Sequence, residues 1–179
     1  MKTILISRVS SLVLSTLFAA NLFAQKDFSN LSAYRYVTDQ FNAGNLSTHN
    51  YSRDNTAVSE KVLYHFGKKF KNVNKARWEL VDNNYLARFL KDGISTQILF
   101  NKNGKVLYTI LYATGEILPN SVKNIVTDNY KNYRITSVAK ISEAGYKIWI
   151  VKLASNKSYA AVAVEDGTIQ EIESFQKAN

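Results

Sequence analysis

Between residues 75 and 175 the sequence alternates apolar and polar side chains in eight short runs, separated by turns of Asn, Asp, Gly and Ser. Successive side chains of an extended chain point to opposite faces, so each run predicts a strand with one buried face. The runs are 75–81, 85–90, 94–100 and 105–112, then 134–142, 146–154, 158–164 and 168–175. Before the first four, Val58, Val62, Phe66 and Phe70 recur at helical spacing, with Glu60, Lys61, Lys68 and Lys69 on the other side. Before the second four, Pro119 suits the first turn of a helix carrying Val122, Ile125 or Val126, and Tyr130. A helix followed by four strands thus occurs twice. The expected half-repeats are 57–116 and 117–176, offset by about 61 residues, so that Tyr85 matches Tyr146, Phe89 matches Ile150 and Gly104 matches Gly167.

Short turns join antiparallel neighbours, and connections of this kind need no crossovers. The expected fold is therefore α+β: a tandem helix-plus-four-strand repeat forming an eight-stranded antiparallel sheet, with two helices packed on one face. Parity assigns Ala76, Trp78, Leu80, Tyr85, Ala87 and Phe89 to the helix side, together with Ile148 and Ile150. The opposite side then receives Arg77, Glu79, Arg88, Gln97, Thr109, Lys147, Trp149 and Tyr159, along with Leu99, Leu107, Leu111, Val151 and Leu153. That is more apolar area than a solvated face needs, which predicts a cover: a partner, a ligand, or the segment 25–56.

The amino-terminal part reads differently. Lys2 and Arg8 precede an apolar run from Val9 to Phe23 that ends near the small residues Ala19, Ala20 and Ala24. This is the layout of a signal peptide over residues 1–24, short for a membrane span, and it predicts an exported protein, periplasmic or extracellular. Residues 25–56 are rich in Asn, Ser and Thr and carry as many basic as acidic side chains. They are expected to form a flexible arm, with Tyr34, Tyr36, Val37 and Phe41 as a patch able to dock on the domain of residues 57–179. No later run is long and apolar enough to span a membrane.

The order Trp78 to Phe89 (WELVDNNYLARF), Phe100 to Gly104 (FNKNG) and Leu118-Pro119 before a helix resembles the PepSY-like family of exported bacterial proteins. Their fold is similar to that of the β-lactamase inhibitory protein. Phe70-Lys71-Asn72-Val73 stands where members often show Phe-Pro after the first helix, a departure from the pattern. The resemblance implies a two-helix, eight-stranded unit of the cell envelope or exterior, and it carries over no catalytic residue.

Composition excludes several chemistries. With no Cys there is no disulfide, thiolate zinc site or cysteine nucleophile, and two His cannot build a three-histidine metal site. No zincin, nucleophile-elbow or P-loop motif occurs. His65 reads as a helix-flank residue, Asn101-Lys102-Asn103-Gly104 as a hairpin turn, and Glu165-Asp166 as a turn former. Catalytic residues, metal and cofactor are therefore expected to be absent, and the chain is read as no enzyme. The net charge is +9, and residues 57–179 hold 18 basic and 11 acidic side chains, with Lys68, Lys69, Lys71, Lys75 and Arg77 clustered. An exported chain meets little nucleic acid, so no nucleic-acid partner is expected, and anionic envelope components or acidic proteins are the better match.

The expected function is an exported, non-catalytic binding module for a protein or peptide, inhibition of a hydrolase being one form it could take. Arg77, Arg88, Trp149 and Tyr159 are its candidate partner-binding residues, because aromatic and Arg side chains dominate desolvated interfaces. Each has an alternative reading as a cross-strand pair that covers the sheet. The alternative function is a small-molecule carrier or enzyme of the cell envelope using the same concave face.

Overall fold

The computed structural model describes residues 26–42, 57–73 and 75–177. The expected signal peptide of residues 1–24 and residues 43–56 of the expected arm lie outside the described residues. Eight strands, β1 (Arg77–Val81), β2 (Asn84–Lys91), β3 (Ile94–Phe100), β4 (Val106–Ala113), β5 (Arg134–Glu143), β6 (Tyr146–Ala154), β7 (Ser158–Glu165) and β8 (Thr168–Gln176), form one antiparallel sheet. Their spatial order is their chain order, each pairing with its sequence neighbours. The turns explain this economy. Asp82-Asn83, Asp92-Gly93, Ala144-Gly145 and Asp166-Gly167 all hold positive φ at both positions. That is the backbone of the two-residue hairpin whose twist matches the strands it joins.

Two helices cover one face, as the repeat predicts. Helix α2 (Glu60–Lys69) begins at Ser59, whose hydroxyl accepts from the Val62 N–H at 3.4 Å. It places Val62 and Phe66 on Ala87, Phe89, Ile98 and Phe100 of the first half-sheet, with Trp78 and Phe70 packed around them. Helix α3 (Asn120–Asn129) follows a 3₁₀ turn at Gly115–Ile117 and Pro119, which stands one residue before the helix. It seats Val122 and Val126 on Val138, Val151, Leu153 and Val162 of the second half-sheet. A Val, Leu, Ile or Phe side chain that passes from water into such a layer contributes about 1.5–3 kcal/mol, so these two layers hold most of the tertiary stability.

The face assignment holds in β1 to β3 and at Tyr159 of β7, and reverses in β4 and β6. Trp78, Tyr85, Ala87 and Phe89 pack under α2 as parity requires. Trp149, Val151 and Leu153, expected on the opposite face, lie under α3 instead, while Ile148 and Ile150 point away from it. Thr109, Leu111 and Lys147 are likewise on the α2/α3 face, since Ile98 pairs with Thr109, Leu111 with Lys140, and Ser142 with Lys147. The cause is the offset. The helices start sixty positions apart, at Glu60 and Asn120, and the first hairpin turns, Asp82-Asn83 and Ala144-Gly145, lie sixty-two apart. Both offsets are even, so matching the copies at an odd interval moves the side chains of β6 to the wrong face, and in β4 the register shift between Leu99 and Phe100 does the same to Thr109 and Leu111. Leu80 also departs from expectation: it shares the helix side but stays 54% exposed near the β1–β2 turn.

The third helix is the main architectural addition. Part of the expected flexible arm, residues 26–42, crosses the face opposite α2 and α3 and ends in α1 (Ser32–Asn42). Phe28, Leu31, Ala33 and Val37 are buried on Leu86, Leu99, Tyr108, Ile110, Ile141, Ile148 and Ile150. The apolar residues of this face thus have their cover within the chain, although of those expected there Leu111, Val151 and Leu153 lie on the other side. The first turn of α1 has no acidic side chain of its own. Glu143 at the end of β5 supplies one, its carboxylate accepting from the Ser32 and Ala33 N–H groups at 3.0 and 2.8 Å. These are two of the donors that a helix start leaves without intrahelical partners. Before the helix, Lys26 forms an ion pair with the largely buried Glu165 and lies 3.5 Å from Asp166. Residues 26–42 therefore form a strap over the hairpin ends of the sheet.

Candidate functional site

Cross-strand rows define the site. Residues directly opposite in neighbouring strands share a face. One row runs Glu79–Leu86–Leu99–Tyr108–Glu143, and the next Arg77–Arg88–Gln97–Ile110–Ile141–Ile148; the strap lies on the apolar parts of both. Beyond them come Leu90–Ser95–Tyr112–Ala139–Ile150, then Lys152–Ala161–Glu173, then Ala154–Tyr159–Phe175. Ala139 and Ile150 of these rows still belong to the core beneath the strap; the half of the face that α1 leaves uncovered is marked by the exposed Leu90, Ser95, Tyr159 and Phe175.

Three of the four expected partner-binding residues are on this face. Arg77 is exposed at the start of the edge strand β1, directly opposite Arg88. Arg88 is mostly buried: its guanidinium lies 2.8 Å from the Glu79 carboxylate and donates to the Tyr36 hydroxyl at 3.2 Å, so the strap fixes it from above. Tyr159 is 41% exposed, its ring centroid 5.4 Å from that of Phe175, which is itself 53% exposed. The Lys177 ammonium sits 4.6 Å from the Tyr159 ring centre. Cationic side chains at one end of this face and a tilted aromatic pair at the other are separated by Ser95, Tyr112 and Lys152. Burial lowers the pKa of the Lys152 ammonium, with Glu173 acting in the opposite sense.

Trp149 does not belong to the site. It is 8% exposed beneath α3, with the Lys140 ammonium 5.0 Å from its ring centre on the same side of the sheet. Its role as a partner anchor is corrected to that of a core residue, for the parity reason given above. Sequence reasoning passed over Phe175 and Glu143, and it placed Tyr36 in the docking patch without assigning it a helix or a partner. Ala33, Tyr36 and Val37 carry a helical signal, visible only if the arm is read for a period of 3.6. Phe175 sits at a strand end where parity assigns it no pair until the β7 register is known. Glu143 acts through a helix 110 residues away, which no local pattern signals.

Two concavities adjoin the strap face. A crevice of about 690 Å³ lies where α1 crosses the first strands, lined by Arg35, Tyr36, Asp39, Asp82, Lys105 and Tyr108. Burial pushes the Tyr108 phenol up to about 12, Tyr36, Glu143 and Glu79 adding to the effect and Arg88 opposing it. A cleft of about 450 Å³ opens at the other end of β1 and β2, lined by Lys75, Arg77, Arg88, Leu90 and Ser95. Nearby, the Gln97 side-chain oxygen is buried without a hydrogen-bond partner among the described residues. Among those residues no three His, Asp or Glu side chains stand close enough to hold a metal ion. His65 lies against the β3–β4 turn, where a Cβ on Gly104 would overlap its ring.

An eight-stranded antiparallel meander with two helices on one face is the α+β fold of β-lactamase-inhibitor-like proteins, and solved structures of that kind match this chain. A β-lactamase-inhibitor-like protein from Bacteroides fragilis superposes with a TM-score of 0.53 at 18% identity, over 68% of this chain and 87% of that one. A DUF2874 family protein from Bacteroides uniformis gives 0.53 at 16% identity, over 66% and 88%. A presumed periplasmic protein from Bacteroides eggerthii gives 0.54 at 13%, over 66% and 88%. At these identities the likeness is one of fold. No family model matches the chain, and no curated protein matches it in sequence. Among the described residues no helix is long and apolar enough to cross a membrane.

Proposed function

We propose that the protein is an exported, non-catalytic binding module that holds a protein or peptide on the uncovered half of its strap face. The carrying observation is the placement there of Arg77, Tyr159 and Phe175, exposed on regular strands beside a strap that already satisfies the apolar half. Aromatic and Arg side chains on a rigid sheet lose little conformational freedom when a partner covers them, which is why such residues dominate binding energy. Three further points support the reading: the leader-like residues 1–24, the PepSY-like resemblance of residues 57–175, and a structural neighbour described as periplasmic. An inhibitory role is an analogy with the name of the fold and carries less weight.

The test is affinity capture from periplasmic and culture-medium fractions by residues 25–179, with bound proteins identified by mass spectrometry. Wild type retains a defined protein, and Arg77→Glu with Tyr159→Ala releases it while the unfolding midpoint is unchanged. Equal retention by wild type and the double variant removes this face from the function. The crevice between α1 and the first strands favours a second reading, a carrier of a small polar molecule, with Arg35, Asp39, Asp82 and Lys105 in its lining. A rise in the thermal midpoint with a small polar solute, lost in Arg35→Ala, would select it.

A further inference from the structure

The cleft at the open end of β1 and β2 marks a step in the sheet edge. Strand β1 begins at Arg77, paired with Arg88, whereas β2 continues to Lys91 with no strand on that side among the described residues. Lys75, Arg77 and Arg88 line the step together with Leu90, which is 68% exposed, and Ser95. Arg77 and Arg88 stand directly opposite each other on one face, an arrangement in which like charges repel. Glu79 pairs with the second of them. Lys91 and Lys69 add further positive charge around Phe70, each about 5.9 Å from its ring centre.

The geometry points to this step as the subsite for an acidic peptide segment: a side-chain carboxylate between Lys75 and Arg77, an adjacent apolar side chain on Leu90, and the peptide main chain alongside the open end of β2. The assignment rests on the binding-module reading above and names the chemistry of its partner. Charge complementarity selects an anion. The open edge of β2 then separates the anionic candidates, because a peptide offers backbone donors and acceptors at strand spacing together with its carboxylates, and a phosphatidylglycerol surface has no such ladder. A sheet edge that ends in a step can also take an extended chain alongside it, where main-chain hydrogen bonds give affinity and side-chain pockets give selectivity.

The probe is a capped, fluorescein-labelled peptide alternating Glu and Val, compared with its Gln-for-Glu analogue and with phosphatidylglycerol vesicles, and read by anisotropy and co-sedimentation with residues 25–179. Wild type binds the Glu peptide about tenfold tighter than the Gln analogue, a difference of about 1.4 kcal/mol, and the gap narrows as salt rises. Lys75→Glu with Arg77→Glu abolishes that preference, and Lys123→Ala on the far face of the sheet leaves it intact. Equal affinity for the two peptides overturns the assignment, as does vesicle binding in place of peptide binding. Capture of a protein that survives Lys75→Glu with Arg77→Glu but is lost in Tyr159→Ala also overturns it, and leaves the binding module itself standing.

Discussion

An indole under a helix contributes more contact area than almost any other side chain, and its removal leaves a hole that the neighbours fill poorly. Trp149 is in that position, between α3 and the second half-sheet. Trp149→Ala is expected to cost about 3–5 kcal/mol, read as a fall in the urea midpoint; retention of wild-type stability would place the indole outside the core. Tyr108 gives the corresponding test on the strap face. Its phenol is held up to about 12 by burial, so the folded state keeps a proton that the unfolded chain releases. The stability this contributes is whole below the ordinary phenol value of about 10 and is lost as pH climbs toward the folded value. Ultraviolet titration should show a late-ionising tyrosine, unfolding should accompany it, and Tyr108→Phe should flatten the loss across that window.

At the scale of elements, α2 and the β3–β4 turn behave as one piece. Ser59, which starts the helix, has its hydroxyl 3.4 Å from the Lys102 carbonyl oxygen, and His65 fills the space above Gly104. Gly104 has φ +81°, where a side chain costs about 1–2 kcal/mol before any collision. Gly104→Ala should therefore lower stability by more than that, and His65→Ala should restore the excess; additive losses in the double variant would uncouple the two. These elements were also the legible ones. Asn and Gly clusters mark the hairpins, and the Val62/Phe66 spacing marks α2, because turn chemistry and helical period are local properties. What could not be read is the relation between the copies. The copies are offset by an even number of positions, which no local pattern signals, and a single position decides whether Trp149 faces a partner or a helix. Arg77, Arg88 and Tyr159 were placed on the right face since β1 and β2 keep parity with the helix before them, and Tyr159 is paired through β7 to β8.

For the molecule as a whole, the sheet is covered unequally: α2 and α3 on one side, and one strap over half of the other. A chain that begins at residue 57 should uncover Leu86, Ile110, Ile141 and Ile148 together, a patch large enough to bind an apolar dye and promote association. It should retain the strand content of the full chain, since strand pairings do not involve the strap. A truncated chain with unchanged dye binding would show the strap to be dispensable. Glu143→Ala is the milder version, expected to raise hydrogen exchange at Ser32 and Ala33 while the β-sheet amides stay protected.

Each strand meets only the one before and the one after, so hairpins can zip in the order in which they are made, with little loop entropy to overcome. The strap is the exception. Lys26 waits for Glu165, 139 positions later, and Ala33 for Glu143. In a chain delivered amino end first, the segment that arrives early is thus the one that docks late, and its closure serves as a latch that reports the completion of everything between.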